Sequence, residues 1–128
     1  MYCVNNESGD IEHFWPKSGY RDRMYVWENL LHCCSICGRK KGKQFPTENG
    51  QPLLVDPASE NPWDYLDLEP KTGKIMARVD PVSENPMPKG RETVRAFELN
   101  KRQALANGYK KTFGRLKTVV EELLQREF

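Results

Sequence analysis

Ile11-Glu12-His13-Phe14-Trp15-Pro16, followed by Val26-Trp27-Glu28-Asn29-Leu30-Leu31-His32-Cys33-Cys34-Ser35-Ile36-Cys37-Gly38-Arg39-Lys40-Lys41-Gly42-Lys43, is the stretch that decides how this chain is read. Cys34 and Cys37 form a C-x-x-C pair, a spacing at which two thiolates of one tight turn face a single tetrahedral ion. Cys3, far upstream, is placed to close such a site from the other arm of a hairpin. A structural zinc takes four ligands. A second C-x-x-C ending at Cys3 would begin one position before Met1, so the fourth ligand is trimmed away, lost, or replaced by Cys33 or His32. Two other readings of the cysteines stand beside zinc. One is buried reduced thiols; the other is a redox pair, which the absence of a recognisable strand-then-helix thioredoxin pattern argues against.

The composition calls for such a staple. Only 38% of the 128 residues are hydrophobic and the mean hydropathy is -0.78, so the core of this single compact unit is small. The net charge of +2 excludes neither nucleic acid nor protein partners, and the densest basic run is Arg39-Lys40-Lys41-Gly42-Lys43. No apolar run approaches the roughly 18 residues of a membrane span. The N-terminus lacks the apolar stretch of a secretory signal. A cytoplasmic location follows as the expectation, and in that reducing medium clustered cysteines bind metal more often than they pair.

Outward from the motif, Ile11–Trp15 reads as a short strand bounded by Pro16, and Tyr25-Val26-Trp27 as a second β-prone run. Residues 47–64, rich in Pro, Asn, Glu and Gly, read as irregular. Tyr65–Leu68 and Ile75–Val79 flank Pro70-Lys71-Thr72-Gly73 and predict a β-hairpin. Residues 81–90 form a proline-rich linker, Glu92–Leu99 a short helix and Lys101–Arg126 a longer one. In the long helix Leu105, Tyr109, Phe113, Leu116, Val120 and Leu123 make an amphipathic stripe, either core or a face for another subunit, a second copy included. Gly108 and Gly114 interrupt it at about 1 kcal/mol each relative to Ala. Trp15, Trp27 and Trp63 are expected to pack the core.

Taken together, the IEHFWPKS stretch, WENLL and CSIC, in register, resemble the HNH endonuclease superfamily, and within it the Septu-type and retron-associated HNH proteins of bacterial anti-phage operons. PLLVDPASENPWDYLDLEP, GKIMARVD and ETVRAFELNKRQALANGYKKTFGRL resemble that branch as well, so the likeness spans most of the chain. It implies an α+β fold with a small zinc-stapled ββα-metal core over residues 1–46. An irregular segment with an added β-hairpin would cover 47–90 and C-terminal helices 91–128, all in one compact unit. By the same resemblance His13 is the general base, Glu12 a ligand of a catalytic magnesium or manganese ion, and Asn29 the residue that orients the imidazole or its loop. Cys3, Cys34 and Cys37 hold structural zinc. The implied activity is cleavage of DNA phosphodiester bonds beside an ATPase partner of the ABC or SMC type.

The chemistry asks for these residue types on its own account. Hydrolysis of a phosphodiester needs a base, and imidazole exchanges protons near neutrality. A divalent cation must neutralise the phosphate, and carboxylate oxygens suit magnesium and manganese. Lys17, Arg39, Lys40, Lys41 and Lys43 are the candidates for phosphate contact. At one position the chain departs from the pattern: where the family carries Asn or His directly after the second knuckle cysteine, as the last metal ligand, this chain has Gly38. A catalytically weakened or dead zinc module, which binds nucleic acid or braces the ATPase partner, is therefore the alternative expectation.

Overall fold

The computed structural model describes residues 2–3 and 9–127. The N-terminal third is a hairpin that runs into a helix. Strand β1 (Asp10–His13) pairs antiparallel with β2 (Leu30–Cys33), in the register Asp10–Cys33, Ile11–His32, Glu12–Leu31 and His13–Leu30. The expected second strand at Tyr25–Trp27 is thus displaced to Leu30–Cys33. Residues 27–29 instead form a 3-10 turn, because the β-prone run lies in the long connection whose polar groups Asn29 satisfies. From β2 the chain enters helix α1 (Ser35–Lys41) with Cys34 as its N-cap. A strand-then-helix context does surround the C-x-x-C, contrary to expectation. The strand belongs to an antiparallel hairpin, and a third thiol lies beside the pair.

Residues 47–64 are more ordered than their composition indicates. The two-residue strands β3 (Thr47–Glu48) and β4 (Gln51–Pro52) flank Asn49-Gly50, both at positive φ (51° and 75°), a type I′ turn favoured by this dipeptide. The predicted hairpin forms as β5 (Leu66–Glu69) and β6 (Lys74–Ala77). Gly73, at φ 74°, makes the turn where a Cβ would collide with the backbone of Ala106.

Helix α2 (Pro88–Ala96) begins four residues earlier than the expected Glu92 and stops before the expected Leu99. Proline is favoured at the first helical position, which accounts for the early start. Gly90 lets α2 lie directly on the hairpin, since a Cβ there would strike Tyr65 O. Helix α3 (Gln103–Glu127) runs unbroken through both glycines. The core gathers Leu54, Leu66, Ile75, Phe97, Leu99 and Leu105 around Cys3, Cys34 and Cys37. Tyr2 stacks on Phe97, with ring centroids 3.7 Å apart. Trp15 packs against Phe45 and Tyr20 as expected, but Trp27 and Trp63 are exposed. The stripe of α3 divides: Leu105 is buried and Tyr109 packs on the core, whereas Phe113, Leu116, Val120 and Leu123 face outward. Among the described residues no helix is long and apolar enough to cross a membrane.

Candidate metal centre and adjoining cleft

Cys34 caps α1 through its own sulfur, which accepts the Cys37 amide hydrogen at 3.4 Å. The turn so made brings Cys34 and Cys37 together, and Cys3 meets them with its Sγ 3.7 Å from that of Cys34. All three are free thiols, buried, and mutually within 4.8 Å. Zn–S bonds of about 2.3 Å in a tetrahedron put two sulfurs about 3.8 Å apart, so this spacing fits a shared zinc and not a disulfide. Burial pushes the Cys34 thiol up, but amide hydrogen bonds from Cys37 and Ile36, together with its thiol neighbours, bring it down to about 7. Cys37, more deeply placed, is pushed up to about 11 by burial.

The C-terminal elements brace the cluster. Tyr109 donates its hydroxyl hydrogen to Cys3 O. Arg102 points Nη2 at Cys37 Sγ (3.8 Å) and Phe97 O (3.1 Å), while its Nε and Nη1 are buried with no protein partner among the described residues. Two expected substitutes for the fourth ligand stand apart from the thiols. Cys33 Sγ lies on the other side of the strand, against Gly38, and His32 is exposed. Cys33 closes β2 with its sulfur toward Gly38, whereas Cys34 caps α1 and turns its sulfur to Cys3 and Cys37.

On the Cys33 side a cleft of about 500 Å³ is lined by Asp10, Ile11, Glu12, Cys33, Ser35, Gly38 and Arg39. Asp10 and Glu12 alternate onto one face of β1. Gly38 lies directly across: a Cβ there would sit 3.4 Å from both Glu12 Oε2 and Cys33 Sγ. The fit for a divalent cation is partial, with two carboxylates to hold it and no side chain at position 38.

Lys41, expected at the phosphate-facing surface, is fully buried (0% exposed). Its Nζ donates to His13 O at 2.9 Å and lies 3.6 Å from Glu12 Oε1. Burial lowers its pKa, and Glu12 opposes that shift. The sequence did carry a signal. Lys41 is four residues after Cys37, hence on the same inward face of α1. Lys17, Arg39, Lys40 and Lys43 are exposed, with Lys40 paired to Glu98.

His13 does not line the cleft. Its Nε2 lies 3.0 Å from Met24 O, and since a carbonyl only accepts, Nε2 is the donor there, which in the neutral tautomer leaves the lone pair on Nδ1. Asn29, 4% exposed, organises the loop that supplies this carbonyl. Its Oδ1 accepts from Trp15 N (2.7 Å), and its Nδ2 donates to Trp15 O (3.0 Å) and Arg23 O (3.1 Å). The Asn29 side chain thus bonds the loop backbone, and among the described residues it makes no hydrogen bond to the imidazole.

Over 73 residues the chain is 29% identical to the Septu protein PtuB of Bacillus thuringiensis. The match covers 53% of this chain and 27% of that protein, so the chain spans about a quarter of the relative's length. No protein-family model matches the chain, and no solved structure does.

Proposed function

We propose that this chain is an HNH-type endonuclease module of a Septu-type anti-phage system, acting on DNA phosphodiester bonds. One observation carries the reading: a Glu12-His13 pair closes the first strand of a hairpin whose second strand passes through a thiol-clustered turn into a helix packed against Glu12. In this arrangement His13 Nδ1 takes a proton from the attacking water, while Met24 O holds the opposite ring nitrogen. Asn29 keeps that carbonyl in place. Glu12 and Asp10 are the groups that would hold magnesium or manganese, which when bound neutralises the scissile phosphate and stabilises the leaving oxygen. Arg39, at the rim of the cleft, and Lys43 and Lys17 on the surface offer phosphate contacts. The likeness to PtuB supports the defence setting. The outward apolar half of α3 is a surface for an ATPase partner of the ABC or SMC type.

A second reading, a weakened or dead nuclease that binds nucleic acid or braces its partner, is favoured by Gly38 and by the Lys41 ammonium already beside Glu12. Nicking of supercoiled plasmid with magnesium or manganese separates the two. His13→Ala should lower the rate by about 10²- to 10⁴-fold with zinc content unchanged. Retained cleavage by a folded His13→Ala protein refutes the assignment, and an inactive wild type favours the second reading.

A further inference from the structure

The connection between β1 and β2 carries the two most exposed ring systems associated with this site. Tyr25 is 89% exposed and Trp27 81%. Large aromatic surfaces left in water are marks of a binding surface, because leaving them there forgoes the gain of burying them. Neither ring stacks on another ring or receives a cation among the described residues, unlike Trp15, which Arg23 covers at 4.0 Å. The loop that presents them is firmly built. Asn29 ties it at Trp15 and Arg23, Asn29 N bonds Val26 O, and Val26 N bonds Arg23 O. Val26 is extended (φ -76°, ψ 123°), which spaces the Tyr25 and Trp27 Cα atoms roughly 6–7 Å apart. Lys17, Arg21 and Arg23 are exposed on the same connection. Met24, between Arg23 and Tyr25, holds His13 through its carbonyl.

We infer that Tyr25 and Trp27 form a stacking platform for unpaired bases, so that this site takes single-stranded nucleic acid or the unpaired segment of a junction or end. The inference rests on the nucleic-acid reading above and specifies the form of the substrate. The physical ground is access. In a duplex the faces of each base are covered by its neighbours, so rings on a protein surface find a free face only on a base that has left the helix. Stacking is indifferent to base identity, and the cationic side chains beside the rings supply backbone attraction. Met24, one residue before Tyr25, ties the base of this loop to the His13 ring.

The test is binding of a fluorescein-labelled oligothymidylate and of a duplex of equal length, by anisotropy at low salt without added magnesium or manganese. The wild type should prefer the single strand. Tyr25→Ala and Trp27→Ala should each weaken single-strand binding about tenfold, and Trp27→Phe should recover most of the loss. Duplex binding should change little. Both side chains are exposed, so circular dichroism and zinc content should match the wild type. The platform is overturned if the alanine variants hold the single strand as well as the wild type does, which would leave the rings to a protein partner. It is overturned equally if single-strand and duplex binding fall together, or if the wild type ignores the single strand. The binding readout needs no cleavage. A protein that never nicks plasmid yet loses single-strand affinity on Trp27→Ala defeats the nuclease reading alone. Intact binding in a Trp27→Ala protein that still nicks defeats the platform alone.

Discussion

Gly38→Asn addresses the position where the chain departs from its resemblance. Gly38 lies inside α1 and is not among the glycines at positive φ, so an L-residue adopts its backbone without strain. A Cβ there meets Cys33 Sγ and Glu12 Oε2 at 3.4 Å, contact distance to two side-chain atoms that can yield slightly. Replacing an interior helical glycine by asparagine gains about 0.3 kcal/mol of helix propensity. Stability should therefore stay within about 0.5 kcal/mol of the wild type. The amide oxygen, two bonds beyond that Cβ, enters the cleft beside Glu12. One recovered ligand is worth at least what an outer-shell partner contributes, about 10- to 100-fold in metal affinity. That corresponds to about 1.4–2.7 kcal/mol. Direct manganese titration of zinc-loaded wild type, Gly38→Asn and Gly38→Ala measures the change without relying on activity, and plasmid nicking follows on the same samples. Gly38→Ala supplies the helix propensity without the ligand. If Asn and Ala bind manganese alike, or if neither differs from glycine, position 38 does not face the ion and the reasoning fails.

Four further outcomes follow from the structure. Cys34→Ser should release zinc and unfold the hairpin, since structural zinc contributes about 10–16 kcal/mol of apparent binding free energy, more than a small core can replace. Metal analysis and circular dichroism check this, and zinc-free folded wild type would contradict it. His13→Ala should slow divalent-dependent nicking about 10²- to 10⁴-fold without loss of zinc, as described above. Lys41→Met removes the ammonium from Glu12 and the donor from His13 O. It should cost about 2–4 kcal/mol in urea unfolding, yet bind manganese more tightly, because Glu12 loses its ion-pair partner among the described residues. Unchanged manganese affinity would show that Lys41 does not compete for that carboxylate. Glu60 opposes burial with hydrogen bonds from Lys89 and the Asp56 amide, which hold its pKa below 4.5. A depressed folded pKa gives stability that is present above 4.5 and lost as pH falls through the folded value. Glu60→Gln should therefore cost about 1–2 kcal/mol at neutral pH and progressively less as pH falls below 4.5, and a gap that does not narrow as the medium is acidified would refute this.

Local signals were readable wherever a short stretch of chain settles its own conformation. The hairpin around Thr72-Gly73, the long helix with its period of three and four, and the C-x-x-C turn all depend on neighbours within a few residues. Asn49-Gly50 is an equally local turn signal, set in a segment whose Pro, Asn, Glu and Gly content reads as irregular. The resemblance to the Septu branch agrees with the partial match to PtuB.

What the sequence by itself determined was the hairpin around Thr72-Gly73, the two C-terminal helices and the meeting of three cysteines, because helical period, turn chemistry and thiol spacing are properties of short stretches of chain. The tertiary structure decided which run became the second strand. Tyr25–Trp27 and Leu30–Cys33 both have β character, and only pairing with β1, with Asn29 occupying the loop's polar groups, selects the latter. It also turned Lys41 inward against Glu12 and His13, and left Tyr25 and Trp27 in water. Those outcomes depend on which side chain finds a partner across the hairpin. That competition is settled between residues distant in the chain: spacing puts Lys41 on the inward face of α1 but does not name the partners it meets there.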